Sequence, residues 1–345
     1  MKRKKEGTSR EKRRLSNKQF IILSVILASI ITLGFVLSSM LLQAPSKFSL
    51  SATIIDQLGE NFPNPQFVED VTNILETAGF KVTYYRSENL DVSFFKGLAK
   101  CNYGLIILRV HSALREDGST VDLFTSEEFK SFAHVPEQNN GLLVKGILNY
   151  SQGSREYFAL TSEFIKNLEG RFPKSVVVAM GCWSLKPGCE QMAEAFCQKG
   201  CQAYVGWTEM VEIGHTDNET VKFLRMLLEE NKTIAEAVRN TSPDLLFPGS
   251  EMRYYPQSAG NLTISDLIAE AEASATLQSL FLTTCVEGTV RWSGCYSNIT
   301  HVNFLVAVKV VARNVARVRV ADAKNLAIVA TSSISTLRSA LTSPR

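Results

Sequence analysis

Two short apolar runs in this 345-residue chain each stop at a side chain capable of chemistry. Leu105-Ile106-Ile107-Leu108-Arg109-Val110 is followed by His111, and Val176-Val177-Val178-Ala179-Met180-Gly181 by Cys182. If the two runs are neighbouring parallel strands, their carboxyl ends put an imidazole beside a thiol. The thiolate is the nucleophilic form of cysteine, and a nearby histidine lowers the thiol pKa or takes its proton. The pair therefore points to nucleophilic chemistry at Cys182 with His111 as its proton partner.

The surrounding pattern supplies elements to hold such a pair. From Ser51 onward, strand-like and helix-like segments alternate: strand 52–55, helix 65–79, strand 82–85, helix 92–99 and strand 105–110. Residues 112–160 break the rhythm with three short candidate strands, 122–125, 142–148 and 157–160, and read as a hairpin insertion beside the site. The alternation then resumes with helix 162–168, strand 175–180, helix 191–199, strand 203–205 and helices 217–230 and 234–239. Uninterrupted apolar strands are typical of parallel sheets covered on both faces. The expectation is an α/β fold, three layers around a doubly wound and mostly parallel sheet, with ligands at the carboxyl ends of the strands. Beyond Ser242, Pro243, Pro248, Gly249, Pro256 and Gly260 mark a linker or elaborated loop. A helix at 263–281 and an alternating strand at 302–310 follow.

This order of elements resembles the caspase-like fold shared by caspases, clostripain, gingipains, separase and the CHAT domains, over residues 51–240. The resemblance rests on a first strand and helix, a strand ending in His111, a strand ending in Cys182, and then a helix that opens with acidic and small residues. Met192-Ala193-Glu194-Ala195-Phe196 through Gly200-Cys201-Gln202-Ala203-Tyr204-Val205-Gly206-Trp207 is similar to the CHAT pattern of helix, glycine, apolar strand and closing tryptophan. Residues 220–228 and 233–237 continue it.

The resemblance implies hydrolysis of peptide bonds in a polypeptide substrate, with no cofactor and no metal. His111 would be acid and base and Cys182 the nucleophile, with the backbone amides of Cys182 and Ser112 holding the oxyanion. Trp183 is compatible with a pocket wall. Glu209, Glu212 and Asp217 follow the strand where family members place part of the substrate pocket, and they would suit a basic side chain. One departure stands out: Ser112 and Ala113 follow His111 where the family has glycine, so a side chain crowds the oxyanion approach. That departure sustains an alternative, a catalytically inactive caspase-like surface module for protein interaction.

The amino terminus adds a location. Nine Lys or Arg and two Glu occupy the first 18 residues, and an uncharged stretch of 23 residues runs from Phe20 to Leu42. That length exceeds a signal-peptide core and matches a bilayer span. The expectation is an uncleaved, single-pass anchor in the cell membrane, with the basic end cytoplasmic and the catalytic domain outside. The chain then divides into a basic tail (1–19), a transmembrane segment (20–42), the caspase-like domain (51–242) and a carboxyl-terminal extension (243–345). The tail's charge accounts for the chain's net +3, the remainder being mildly acidic. No interleaved aromatics suggest a nucleic-acid partner, and lipid headgroups explain the basic run better. Six Asn-x-Ser/Thr sequons, at Asn149, Asn218, Asn231, Asn240, Asn261 and Asn298, all lie beyond the apolar stretch.

Seven cysteines is an odd count for an oxidising compartment. Three disulfides and one free thiol is the simplest arrangement. In it Cys285 and Cys295 form a local pair, Cys101, Cys189, Cys197 and Cys201 have unassigned partners, and Cys182 is free. A Cys182–Cys189 disulfide is the competing reading. A zinc site from Cys182, Cys189, Cys197 and Cys201 lacks the close Cys-x-x-Cys pair of structural sites. His134, His215 and His301 carry no partner pattern and read as surface or loop residues.

Overall fold

A computed structural model describes residues 47–150, 153–283, 287–290 and 302–305. The basic tail, the 20–42 segment, Cys285, Cys295 and Asn298 lie outside the described residues. Among the described residues, no helix is long and apolar enough to cross a membrane.

Strand β1 (Ser51–Asp56) leads through a turn into helix α1 (Pro65–Thr77). The Asn64 side chain accepts the Phe67 amide at 3.1 Å, and Pro65 occupies the first helical position, where a missing N–H costs nothing. Gly79, at φ +86°, follows the end of α1 in the left-handed conformation that glycine adopts freely. Next come β2 (Lys81–Arg86), α2 (Val92–Gly97) and β3 (Leu105–Arg109).

The insertion follows at once: β4 (Ser112–Leu114), β5 (Val121–Glu128), α3 (Val135–Asn139), β6 (Leu143–Tyr150) and β7 (Gly153–Leu160). These four strands form their own antiparallel sheet in the order β4-β5-β7-β6. Gly146 makes room for the buried Phe124 ring, because a Cβ there would lie 2.4 Å from a ring carbon.

The alternation resumes with α4 (Ser162–Lys166), β8 (Val176–Ala179), α5 (Gln191–Gln198), β9 (Ala203–Trp207), α6 (Ile213–Leu228) and α7 (Ile234–Arg239). Helix α6 starts four residues earlier than its periodicity suggests, because the Glu212 carboxylate caps it by accepting the His215 amide at 2.6 Å. Strand β10 (Met252–Tyr255), within the stretch read as a loop, pairs antiparallel with β9 and completes a six-stranded sheet. The sheet therefore continues past Ser242, and the compact unit runs to Ala275. Helix α8 (Ile264–Thr283) follows. A second unit begins at Thr276, and in it β11 (Glu287–Val290) and β12 (Val302–Leu305) form an antiparallel pair.

The large sheet has the order β10-β9-β8-β3-β1-β2, parallel except at β10. Strand order reverses beside β1, which opens a crevice at the carboxyl ends of β1 and β3. Side chains alternate between two cores. Ile106, Leu108, Val177 and Ala179 pack toward Phe95, Phe164, Met192 and Phe196. Ile107, Val178 and Met180 pack toward Phe67 and Val71 of α1 and Phe223 and Leu224 of α6. Both faces are thus covered, which is why these strands read as continuous apolar runs.

Five cysteines, Cys101, Cys182, Cys189, Cys197 and Cys201, are all free thiols, against the expectation of disulfides among them. Their surroundings explain it. The Cys101 thiol reaches the Gly97 carbonyl within its own helical turn at 3.5 Å, and that of Cys189 the Gly118 carbonyl at 3.3 Å. Neither is aimed at another sulfur. Asn149, Asn218, Asn231, Asn240 and Asn261 are all exposed.

Candidate active site

Strand β3 pairs with β8 in the register Leu105↔Val176 through Leu108↔Ala179, and the Met180 amide continues it by donating to the Leu108 carbonyl at 3.0 Å. Carried forward, the same offset sets His111 opposite Cys182. Alternation puts both on the face of Ile107, Val178 and Met180, and Cys182 packs against that core. Gly181 allows the strand ends to close up. A Cβ on it would stand 2.6 Å from the Val110 carbonyl oxygen, 2.9 Å from the Ser112 nitrogen and 2.3 Å from the Ser112 hydroxyl.

His111 sits between two aromatic rings, Phe62 at 6.0 Å and Phe124 at 6.4 Å between centroids, both edge to face. Its amide donates to the Gln57 side-chain oxygen at 2.9 Å, and its carbonyl accepts the Phe124 amide at 2.9 Å. The Nε2 atom is enclosed and has no hydrogen-bond partner. Burial, reinforced by the nearby Arg109 guanidinium, pushes the imidazole pKa down to about 4. The ring is therefore neutral at physiological pH.

Beneath it lies a buried ion cluster that the sequence reading passed over. Arg109, on the same face two residues earlier, is 1% exposed. Its Nε and Nη2 donate to the Asp217 carboxylate at 2.8 and 2.9 Å, Nη1 to Asp56 at 2.7 Å, and Nη2 also to the Phe62 carbonyl at 3.0 Å. Asn64 adds a bond to Asp217 at 2.9 Å and Tyr84 one to Asp56 at 3.0 Å. The cluster ties β1, β3, α6 and the loop carrying Phe62 together directly under the imidazole. A charge in a strand buried on both faces has to be paired, and that was the signal available in the Leu105–Val110 run.

The Cys182 sulfur meets one residue from both sides: it accepts the Val211 amide at 3.5 Å and approaches the Val211 carbonyl at 3.7 Å. Burial raises its pKa, the two amides only partly offset this, and the Asp244 carboxylate adds to it. The sulfur's hydrogen-bond partners are thus both on the Val211 backbone, and burial favours its thiol form. Asp244 fixes the sulfur's neighbours by accepting the amides of Glu212 at 2.6 Å and Leu246 at 2.7 Å.

Ser112 is buried, and its hydroxyl donates to the Cys182 carbonyl at 2.5 Å. By the alternation of the β4–β5 ladder, in which Phe124 pairs with His111, the Ser112 amide faces Gly181 rather than β5. The side chain expected to crowd the approach is thus turned onto the neighbouring strand end.

Trp183 and Glu209 come together. The Trp183 amide donates to the Glu209 carbonyl and its indole Nε1 to the carboxylate, each at 2.9 Å. Lys186 neutralises the other carboxylate oxygen at 2.5 Å. Trp183 holds φ +54°, a left-handed conformation costing a bulky residue about 1–2 kcal/mol. Asp217 does not join them. It is buried and its carboxylate is already occupied by Arg109 and Asn64, so it offers nothing to a substrate cation. Two further bonds brace the elbow after Cys182: Thr216 donates to the Met180 carbonyl at 3.1 Å, and the Ser184 hydroxyl accepts the Trp207 amide at 2.9 Å. Gly206 is required there, since a Cβ would lie 2.6 Å from the Ser184 hydroxyl.

No protein-family profile and no curated protein matches the chain. Among solved structures it is similar to the Arg-specific cysteine proteinase gingipain R, at 12% identity and a TM-score of 0.35, over 53% of this chain. The chain spans 38% of that structure's length. At that level of likeness nothing is transferred from it.

Proposed function

We propose that this chain is a cysteine peptidase of caspase-like type, anchored in a membrane by residues 20–42 with the described domain outside. The reading is supported above all by the β3–β8 register, whose continuation pairs His111 with Cys182 on one face of the sheet beside the topological switch point. Its unpartnered, neutral imidazole suits the role of proton acceptor.

In the proposed reaction the Cys182 sulfur bonds to the carbonyl carbon of the scissile peptide while His111 takes the thiol proton. The carbonyl oxygen becomes an oxyanion held by the amides of Cys182 and Ser112, where one donor is worth about 100-fold or more in rate. Collapse breaks the C–N bond, His111 delivers its proton to the departing amine, and a thioester remains. Water, deprotonated by His111, then cleaves the thioester and returns the thiol.

The raised thiol pKa and the Val211 backbone around the sulfur favour a second reading, an inactive interaction module. Labelling with iodoacetamide separates the two. Wild type should be alkylated at Cys182 at neutral pH, Cys182→Ala not at that position, and His111→Ala at least tenfold more slowly. Equal rates in wild type and His111→Ala would overturn the peptidase reading.

A further inference from the structure

A histidine that moves protons is ordinarily held in place by a third group bonded to its other ring nitrogen. Among the described residues His111 has none: Nε2 is enclosed without a partner, and no side-chain hydrogen bond reaches the ring. The aim of the imidazole therefore rests on the backbone that carries it and on the rings of Phe62 and Phe124 beside it. That backbone is held in an unusual way. By the alternation of the β1–β3 ladder, in which Asp56 pairs with Arg109, the His111 N–H points toward β1. At that level β1 has ended, and residues 57–59 leave the ladder in a tight turn. The Gln57 side chain takes the place of the missing strand carbonyl, its Oε1 accepting the His111 amide at 2.9 Å. Gln57 is 2% exposed, so water does not compete for this bond. The loop that follows is tied to the same strand: the Phe62 carbonyl accepts Arg109 Nη2 at 3.0 Å, and Asn64 donates at 2.9 Å to the Asp217 carboxylate that Arg109 also holds.

We infer that Gln57 is a positioning residue: its side-chain carbonyl fixes the His111 backbone and thereby aims the imidazole at Cys182. This rests on the peptidase reading above. Gln57 takes no part in the bond changes and acts only through His111. Removing its carbonyl strands a buried N–H, and the His111 backbone then shifts to find another acceptor. A misplacement of about 1 Å at a reacting group costs on the order of 100-fold in rate. Residues that act as one unit are also non-additive, so the loss of Gln57 has meaning only while His111 is present.

The test follows alkylation of Cys182 by iodoacetamide in the full chain, read at that residue by peptide mass spectrometry. The sulfur bonds to the methylene carbon, iodide leaves, and the thiol proton passes to His111. Gln57→Leu should slow labelling at neutral pH by about tenfold or more. Gln57→Glu keeps an acceptor oxygen in the same place and should recover most of that loss. In the His111→Ala background Gln57→Leu should change nothing, because the group it positions is gone. Ser175→Ala is the control: it removes a buried bond to the Tyr103 carbonyl at the other end of β8 and should leave the rate unchanged. Equal, His111-dependent labelling of wild type and a folded Gln57→Leu protein overturns the assignment and leaves the peptidase reading standing. Slowing by the same factor with and without His111 also overturns it, since that marks a general loosening of the site. If Gln57→Leu does not fold, Gln57→Asn, whose carbonyl falls one methylene short, takes its place with the same expectation. Equal labelling of wild type and His111→Ala removes the peptidase reading, and the role of Gln57 with it.

Discussion

The Ser112 hydroxyl donates to the Cys182 carbonyl across the gap between two strand ends, at 2.5 Å. A residue that looked like an obstruction in sequence is a clasp. It joins the residue after the histidine to the cysteine itself. Ser112→Ala should cost about 1 kcal/mol, the ordinary net worth of one buried hydrogen bond, and a urea titration would measure it. The same variant should label more slowly with iodoacetamide. An unchanged rate would mean that the clasp serves stability alone.

Gly181 is the stricter requirement. Ala at this position pushes a methyl against the backbone of Val110 and Ser112 as well as against the Ser112 hydroxyl. Gly181→Ala should therefore destabilise by about 2–3 kcal/mol. Adding Ser112→Gly should recover only part of that loss, because the Val110 carbonyl remains in the way. Full recovery in the double variant would show that the side chain alone sets the spacing.

Arg109→Met removes the cation shared by the buried carboxylates of Asp56 and Asp217. Leaving buried charges uncompensated typically costs 3–5 kcal/mol. Arg109→Lys should be nearly as harmful, since an ammonium cannot span Asp217 in two-point fashion and still reach Asp56 and the Phe62 carbonyl. Thermal unfolding of both variants tests this. A lysine variant within 1 kcal/mol of wild type, on the order of one weak hydrogen bond, would reduce the cluster to simple charge balance.

Burying neutral His111 makes stability depend on pH in a definite direction. Its folded pKa, about 4, lies below the unfolded value of 6.5, so between these values the unfolded chain binds more protons. Stability should fall as pH drops from 6.5 toward 4, by at most about 3 kcal/mol, a ceiling because the residue keeps some solvent contact. His111→Gln should flatten that portion of the profile. The acid limb of the alkylation rate should also lie nearer 4 than 6.5.

Much of this was legible in the sequence. The parallel strands were visible because sheets covered on both faces write apolar runs, and those runs ended at His111 and Cys182. Strand β10 was not visible. It lies at the sheet edge, its Arg253 is exposed and Pro256 follows it, so only pairing with β9 identifies it. Asp217 was misjudged as a pocket residue for a related reason. Its fate is decided by Arg109, 108 positions away, and nothing local to either residue announces the contact. Val211 was invisible because it acts through its backbone, which carries no residue signature, and Asp244 because its carboxylate is spent on the amides of Glu212, 32 positions away, and Leu246.

His111 sits in the two-residue link between two sheets. The strand before it, β3, belongs to the parallel sheet, its carbonyl accepts the Phe124 amide of the antiparallel insertion, and its amide is fixed from a third direction by Gln57. The histidine's backbone is therefore held by the parallel sheet, the insertion and the Gln57 side chain together, and a change in how the insertion seats on β3 would be felt at His111 first.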